Sequence, residues 1–174
     1  MPWYFAYGSN MQAATLRGRR GIVPTRAVPV RAPGWRVVFD KPSLFGLPES
    51  YANLVVDAAA TAFGVAFAIT DDELAHVELT EGVAIGNYRR VEVAVEALAV
   101  VPDPPAVAYS LSSDSRDPTR RPSTRYLGVV LDGAREHGLP ADWIAWLSGI
   151  EAAAESVVSQ AARGLIDAVM RRRS

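Results

Sequence analysis

The order in which extended and helical patterns follow one another constrains this chain most. Extended segments come first, at residues 2–7, Arg26–Val30, Trp35–Asp40, Ala52–Asp57 and Thr61–Ile69, and continue at Tyr88–Val100 and Val107–Leu111. Within the sixth, Val91, Val93 and Val95 alternate with Glu92, Ala94 and Glu96, the two-residue period of a half-buried strand, and a long strand is expected there. One helix is inserted among them: Thr70-Asp71-Asp72-Glu73 forms a capping box and opens a helix to about Leu79, with Leu74 and Val77 facing inward. Helical patterns then close the chain. Ser123 can cap a helix through Glu136 that ends at His137-Gly138, and Pro140 opens another with Trp143, Ile144, Leu147 and Ile150 on its buried stripe. Val157, Val158, Ala161, Leu165, Val169 and Met170 define a longer amphipathic helix to the end. Strands and helices do not alternate regularly, which argues against a doubly wound parallel sheet. The expected fold is α+β, a mixed and mostly antiparallel sheet curled into a small barrel and flanked by helices.

Size and charge narrow the function classes. With 174 residues, 49% of them apolar, the chain suits one well-packed core, and a single domain spanning residues 1–174 is expected. A net charge of −1 gives no broad electrostatic case for nucleic acid or for an anionic membrane as partner. Arg171-Arg172-Arg173 is read as a cationic end to the last helix, where it complements the helix dipole. The absence of cysteine removes disulfides, thiolate metal sites and a cysteine nucleophile. His76 and His137 lie far apart with no metal-ligand spacing, so no metal is expected. A strand at residues 2–7 leaves no room for a signal stretch, and no apolar run approaches a membrane span; the expected location is cytoplasmic. Positive charge comes almost wholly from arginine, Lys41 being the single lysine, a composition expected of a GC-rich bacterium. Exposed apolar residues on the last helix would permit a homodimer.

Candidate chemistry sits at a turn, a glutamate and two tyrosines. Residues Tyr4-Phe5-Ala6-Tyr7-Gly8-Ser9-Asn10-Met11 read as an aromatic strand running into a polar turn. Gly8 permits backbone angles that other residues avoid, and Ser9 and Asn10 bond to nearby main chain, so several N–H groups can converge on an anion. An ordinary strand end closed by a polar turn reads the same way. Gln12–Arg20 reads as a short helix or a basic loop, with Gly18 and Gly21 weakening the helix. Lys41–Tyr51 is a loop long enough to fold over a site, and Ser112–Arg121 a solvated loop. Glu81 precedes the glycine-punctuated segment Gly82-Val83-Ala84-Ile85-Gly86; burial there would raise its pKa and make it a usable base, whereas exposure would make it a loop residue. Glu78 reads as a helix-surface charge, and His76 as surface or packing. A serine-hydrolase set of Ser9, His76 and Asp57 lacks the nucleophile-elbow motif.

The segment Tyr4-Phe5-Ala6-Tyr7-Gly8-Ser9-Asn10 resembles the signature of the γ-glutamylcyclotransferase-like proteins. A Glu-Gly-Val segment followed by Gly86 and Tyr88 recurs in them at similar spacing, and Pro122-Ser123 through Tyr126, Gly133-Ala134 and Gly138-Leu139-Pro140 resembles the C-terminal part of the true γ-glutamylcyclotransferases. The resemblance implies a small mixed β-barrel and cofactor-free release of 5-oxoproline, the substrate's own α-amine attacking its γ-carbonyl. It implies Glu81 as catalytic acid/base, Tyr4, Phe5, Ala6, Tyr7, Gly8, Ser9 and Asn10 as substrate-binding segment, and Tyr88 and Tyr126 lining the site. The partner so implied is a small γ-glutamyl compound. Free γ-glutamyl amino acids, γ-glutamyl amines and a γ-glutamyl protecting group stay open; glutathione is less expected, because the C-terminal block resembles the free γ-glutamyl amino acid enzymes more than the glutathione-degrading branch. The alternative is a catalytically silent small-molecule-binding or interaction protein on the same barrel.

Overall fold

A computed structural model describes residues 1–44 and 46–161. Its centre is a six-stranded sheet in the order β4-β6-β1-β3-β2-β5. The strands are β1 (Trp3–Ala6), β2 (Arg26–Pro42), β3 (Ser50–Ala68), β4 (Arg89–Ala94), β5 (Glu96–Ala97) and β6 (Val107–Ser112). The β1–β6 pair is parallel at Tyr4 and Tyr109, and the remaining pairs are antiparallel. Because β4 and β5 are neighbours in the chain yet lie at opposite ends of the strand order, the sheet must curl until its two edges approach. The result is a curled half-barrel flanked by helices α1 (Asp71–Thr80), α2 (Thr124–Glu136) and α3 (Ala141–Ser148). Among the described residues no helix is long and apolar enough to cross a membrane.

Side chains alternate across each strand, so the sheet serves two cores. Phe5, Val28, Val30, Val37, Leu54, Val91, Val93 and Val95 cluster with other strand residues within the curl. Tyr4, Ala6, Phe67 and Ile69 face the other way and pack against Leu74 and Val77 of α1, Val130 and Ala134 of α2 and Leu147 of α3. The capping box forms as expected, with Glu73 N–H donating to Thr70 Oγ1 at 3.1 Å and Thr70 N–H to Glu73 Oε2 at 2.8 Å. Ser123 Oγ likewise accepts from Tyr126 N–H at 3.1 Å to start α2.

Several sequence expectations change in the structure. The four extended segments between Arg26 and Ile69 join into two long strands, β2 and β3, whose pairing shifts register between Pro33 and Trp35 and again between Val38 and Lys41. Bulges bend long strands without ending them, which local pattern does not reveal. Lys41 and Pro42 pair with Tyr51 and Ser50, so the loop over the site shrinks to residues 43–49. The long strand at Tyr88–Val100 is interrupted at Val95, where the chain leaves β6 and joins β2. Ala14–Arg19 is a π-helical turn, the wide spacing visible in Arg20 N–H donating to Thr15 O at 3.2 Å. At the start of the Ser112–Arg121 loop, Ser112 and Ser113 are buried, and Ser113 exchanges two 2.9 Å hydrogen bonds with the Asn53 amide. Of the last helix, residues 157–161 are helical, but Val157 and Val158 are exposed and Ser159 is buried. Leu165, Val169, Met170 and the Arg171–Arg173 run lie outside the described residues.

Candidate functional site

The end of β1, the end of α1 and the start of β3 meet at one cavity of about 1320 Å³. Tyr4, Tyr7, Gly8, Ser9, Asn10, Glu81, Tyr88 and Tyr126 all line it. Phe5 and Ala6 do not: they are 0% and 1% exposed and are packed into the two cores on opposite faces of β1. Both were expected in the substrate-binding segment, and their side chains lie in the cores behind the cavity wall.

After Ala6 the chain turns through a short 3-10 segment, Ser9–Met11. Met11 and Gln12 N–H groups donate to Gly8 and Ser9 carbonyls at 3.1 and 3.2 Å, so the turn itself leaves the leading N–H groups of Ser9 and Asn10 unused. Gly8 has φ −118°, and its freedom at positive φ plays no part. What the position demands is space, since a Cβ there would stand 3.1 Å from the Tyr126 hydroxyl and 3.3 Å from Ala52 Cβ.

Glu81 caps the end of α1, its N–H still bonded to Val77 O at 2.9 Å. The next residues leave the helix through Gly82 at φ +75° and Gly86 at φ +72°, a left-handed backbone that favours glycine. The loop is pinned by Asn87, whose Nδ2 donates to Glu81 O at 2.8 Å, while Lys41 Nζ donates to Asn87 Oδ1 at 2.7 Å. The glutamate side chain is about one-fifth exposed and pairs with the Arg20 guanidinium through Oε1. Asn10 Nδ2 donates to the same oxygen at 3.3 Å and to the Tyr4 hydroxyl at 2.9 Å. These described contacts leave Oε2 as the oxygen available to a ligand.

The tyrosines are held by backbone. Ala52 N–H donates to the Tyr126 hydroxyl at 3.2 Å, and the Tyr88 hydroxyl donates to Ala52 O at 3.2 Å. The Tyr7 hydroxyl donates to Leu111 O at 2.6 Å. Burial pushes the Tyr126 phenol up to about 12, the Glu81 charge adding to the rise and the Ala52 N–H opposing it. Burial likewise raises Tyr4, Tyr7 and Tyr88 far above the usual phenol range. The phenols therefore stay neutral near pH 7 and act as hydrogen-bonding walls. Burial lowers the Lys41 ammonium, partly offset by the Glu81 charge, and two of its three donors go to Asn87 Oδ1 and to Pro42 O, each at 2.7 Å.

Arg20, Asn87 and Lys41 were not among the residues expected from the sequence. Arg20 lies in the run Arg17-Gly18-Arg19-Arg20, where composition does not tell which arginine turns inward. Lys41 carried a signal as the single lysine. Glu78 sits on the surface of α1 and pairs with Arg90 at 3.0 Å, while His76 is exposed on α1 and borders the cavity. His137 Nε2 donates to Met11 O at 3.1 Å and steadies the end of the turn.

This arrangement can be set beside known proteins. The AIG2-like family profile matches residues 61–147. A gamma-glutamyl cyclotransferase of Aspergillus oryzae, aclK, is 31% identical over 163 residues, covering 82% of this chain and 59% of that protein. One of Aspergillus fumigatus, gliK, is 28% identical over 160 residues, covering 78% and 57%. The chain thus spans less than two thirds of the length of these curated relatives. Among solved structures, one named gamma-glutamyl cyclotransferase superposes with a TM-score of 0.75 at 21% identity, covering 98% of both chains. A human protein superposes with a TM-score of 0.73 at 23% identity, covering 87% of this chain and 88% of its own. The chain belongs to the AIG2-like family and carries the fold of the gamma-glutamyl cyclotransferases.

Proposed function

We propose that this protein is a γ-glutamylcyclotransferase that closes the γ-glutamyl group of a small substrate into 5-oxoproline and releases the attached amine, with Glu81 as general acid/base. One observation carries the reading: the Glu81 carboxylate lies against the Gly8-Ser9-Asn10 turn, 3.3 Å from Asn10 Nδ2, with one oxygen held and the cavity in front of it. The family relationship supports it.

A γ-glutamyl compound carries its own nucleophile, so the protein has to fold the substrate, move protons and stabilise charge. Holding the α-nitrogen against the γ-carbonyl can remove about 7–11 kcal/mol of barrier. The bound α-ammonium gives a proton to Glu81, and the freed amine attacks the γ-carbon to form the new C–N bond. The carbonyl oxygen takes up negative charge beside the Ser9 and Asn10 N–H groups, which could instead hold the α-carboxylate. Collapse of the intermediate breaks the old C–N bond as Glu81 returns its proton to the departing nitrogen. The attacking nitrogen loses a second proton, which leaves the released amine as an ammonium ion and the carboxylate restored. The neutral Tyr4, Tyr88 and Tyr126 hydroxyls fix the shape of the pocket without competing for protons.

The test is incubation with γ-glutamyl amino acids, γ-glutamyl amines and glutathione, with products read by NMR. The proposal expects 5-oxoproline and free amine in equal amounts from at least one compound. Glutamate as product would indicate hydrolysis, and no product from any compound would favour the silent binding protein.

A further inference from the structure

We propose that Arg20 recognises the α-carboxylate of the γ-glutamyl head, so that the Arg20–Glu81 pair is a receptor for a free amino-acid zwitterion. This rests on the γ-glutamyl reading above. In such a zwitterion the carboxylate and the ammonium are attached to one carbon. A site that places the ammonium on Glu81 therefore places the carboxylate against groups immediately beside Glu81, where a cation would hold it best. Among the described residues Arg20 is the cation in direct contact with that carboxylate. Lys41 also lines the cavity and is close enough to feel the Glu81 charge, but two of its three N–H donors are directed to Asn87 Oδ1 and Pro42 O and its ammonium lies over the Tyr88 ring. Arg125 borders the cavity from the exposed start of α2.

A second observation points the same way. Arg20 lines the cavity, and its Nε is buried with no acceptor among the described residues. A buried guanidinium N–H left unpaired is costly, and an incoming carboxylate would satisfy it. Asn10 Oδ1, on a residue only 6% exposed and bordering the same cavity, is likewise buried without a donor and suits the ammonium. The unpaired groups thus match both ends of the zwitterion: an N–H donor for the carboxylate, an acceptor for the ammonium. Assigning the carboxylate to Arg20 leaves the Ser9 and Asn10 N–H groups for the γ-carbonyl oxygen. Free γ-glutamyl compounds are then the substrate class, and compounds whose α-carboxylate is blocked are excluded.

The experiment compares a γ-glutamyl compound that the wild type turns over with its α-carboxamide, in wild type, Arg20→Gln and Arg20→Lys. The wild type should prefer the free acid by about 10-fold or more in kcat/KM through a lower KM, Arg20→Gln should lose that preference, and Arg20→Lys should recover part of it. Binding supplies a readout independent of turnover. 5-Oxoproline keeps the carboxylate and 2-pyrrolidinone lacks it, so the wild type should bind the first more tightly and Arg20→Gln should bind the two alike. If Arg20→Gln slows acid and amide by the same factor, or still prefers 5-oxoproline as the wild type does, Arg20 only positions Glu81 and the inference falls. If the wild type turns over no γ-glutamyl compound, the γ-glutamyl reading falls with it.

Discussion

At Gly8 a methyl group would crowd the Tyr126 hydroxyl at 3.1 Å, and that hydroxyl is itself tied to Ala52 N–H. Gly8→Ala is therefore expected to cost about 1–3 kcal/mol of stability and to raise KM by displacing Tyr126; a urea titration and a substrate titration check the two effects. Tyr126 also makes a pH prediction. Its phenol has an ordinary value of 10.0 and is pushed to about 12 by burial, so the unfolded chain ionises first as pH rises. The unfolded state then binds fewer protons than the folded one, and the contribution present below pH 10 is lost as pH climbs to about 12. Tyr126→Phe should lose less stability than wild type between pH 9.5 and 11.5, values chosen to bracket roughly that window, as thermal melts would show. At this scale the placement of Glu81 at the cavity was legible, because it ends a capped helix and precedes a segment bounded by Gly82 and Gly86. Arg20 was hidden, because its inward turn depends on the π-helical spacing and adjacent arginines look alike.

Elements meet the site through close contacts that local pattern does not encode. A Cβ on Gly133 of α2 would lie 2.6 Å from Gln12 N and 2.7 Å from Met11 Cβ, so α2 rests directly on the chain leaving the Gly8-Ser9-Asn10 turn. Gly133→Ala is expected to cost about 1–3 kcal/mol and to raise KM, because α2 must retreat from that turn. Chemical denaturation and substrate titration read the two consequences, and an unchanged KM would mean that α2 does not set the turn. The capping box and the Ser123 cap were readable from residues three apart. The division of Tyr88–Val100 into β4 and β5 was not: Val91, Val93 and Val95 keep their buried alternation straight through the break. Alternation reports which face is buried and says nothing about which neighbour a strand joins.

Over the whole molecule, the order of strands before helices gave the α+β class, and the curl followed only once β4 and β5 were seen at opposite ends of the strand order. The far end of the described chain closes against the β2–β3 connection and the segment leading into α2: Ser156 N–H donates to Glu49 Oε1 at 3.0 Å, and Ala153 N–H to Pro122 O at 2.9 Å. Burial raises the Glu49 carboxyl, but hydrogen bonds from Ser159 and Ser156 outweigh it and hold it below its ordinary 4.5. That contribution is present above pH 4.5 and is lost as pH falls through the lower folded value, so amides at residues 153–160 should lose hydrogen-exchange protection below pH 4.5 before the sheet does. Residues near both ends of the described chain, Tyr4 and Ser159, thereby border the cavity that holds Glu81, where ring closure is proposed. The most direct measurement of that proposal is 5-oxoproline release by Glu81→Gln beside wild type, with both shown to melt at the same temperature. A fall in kcat of about 10²–10⁴-fold is predicted, the usual worth of a positioned acid/base, and undiminished release by the folded variant would contradict it.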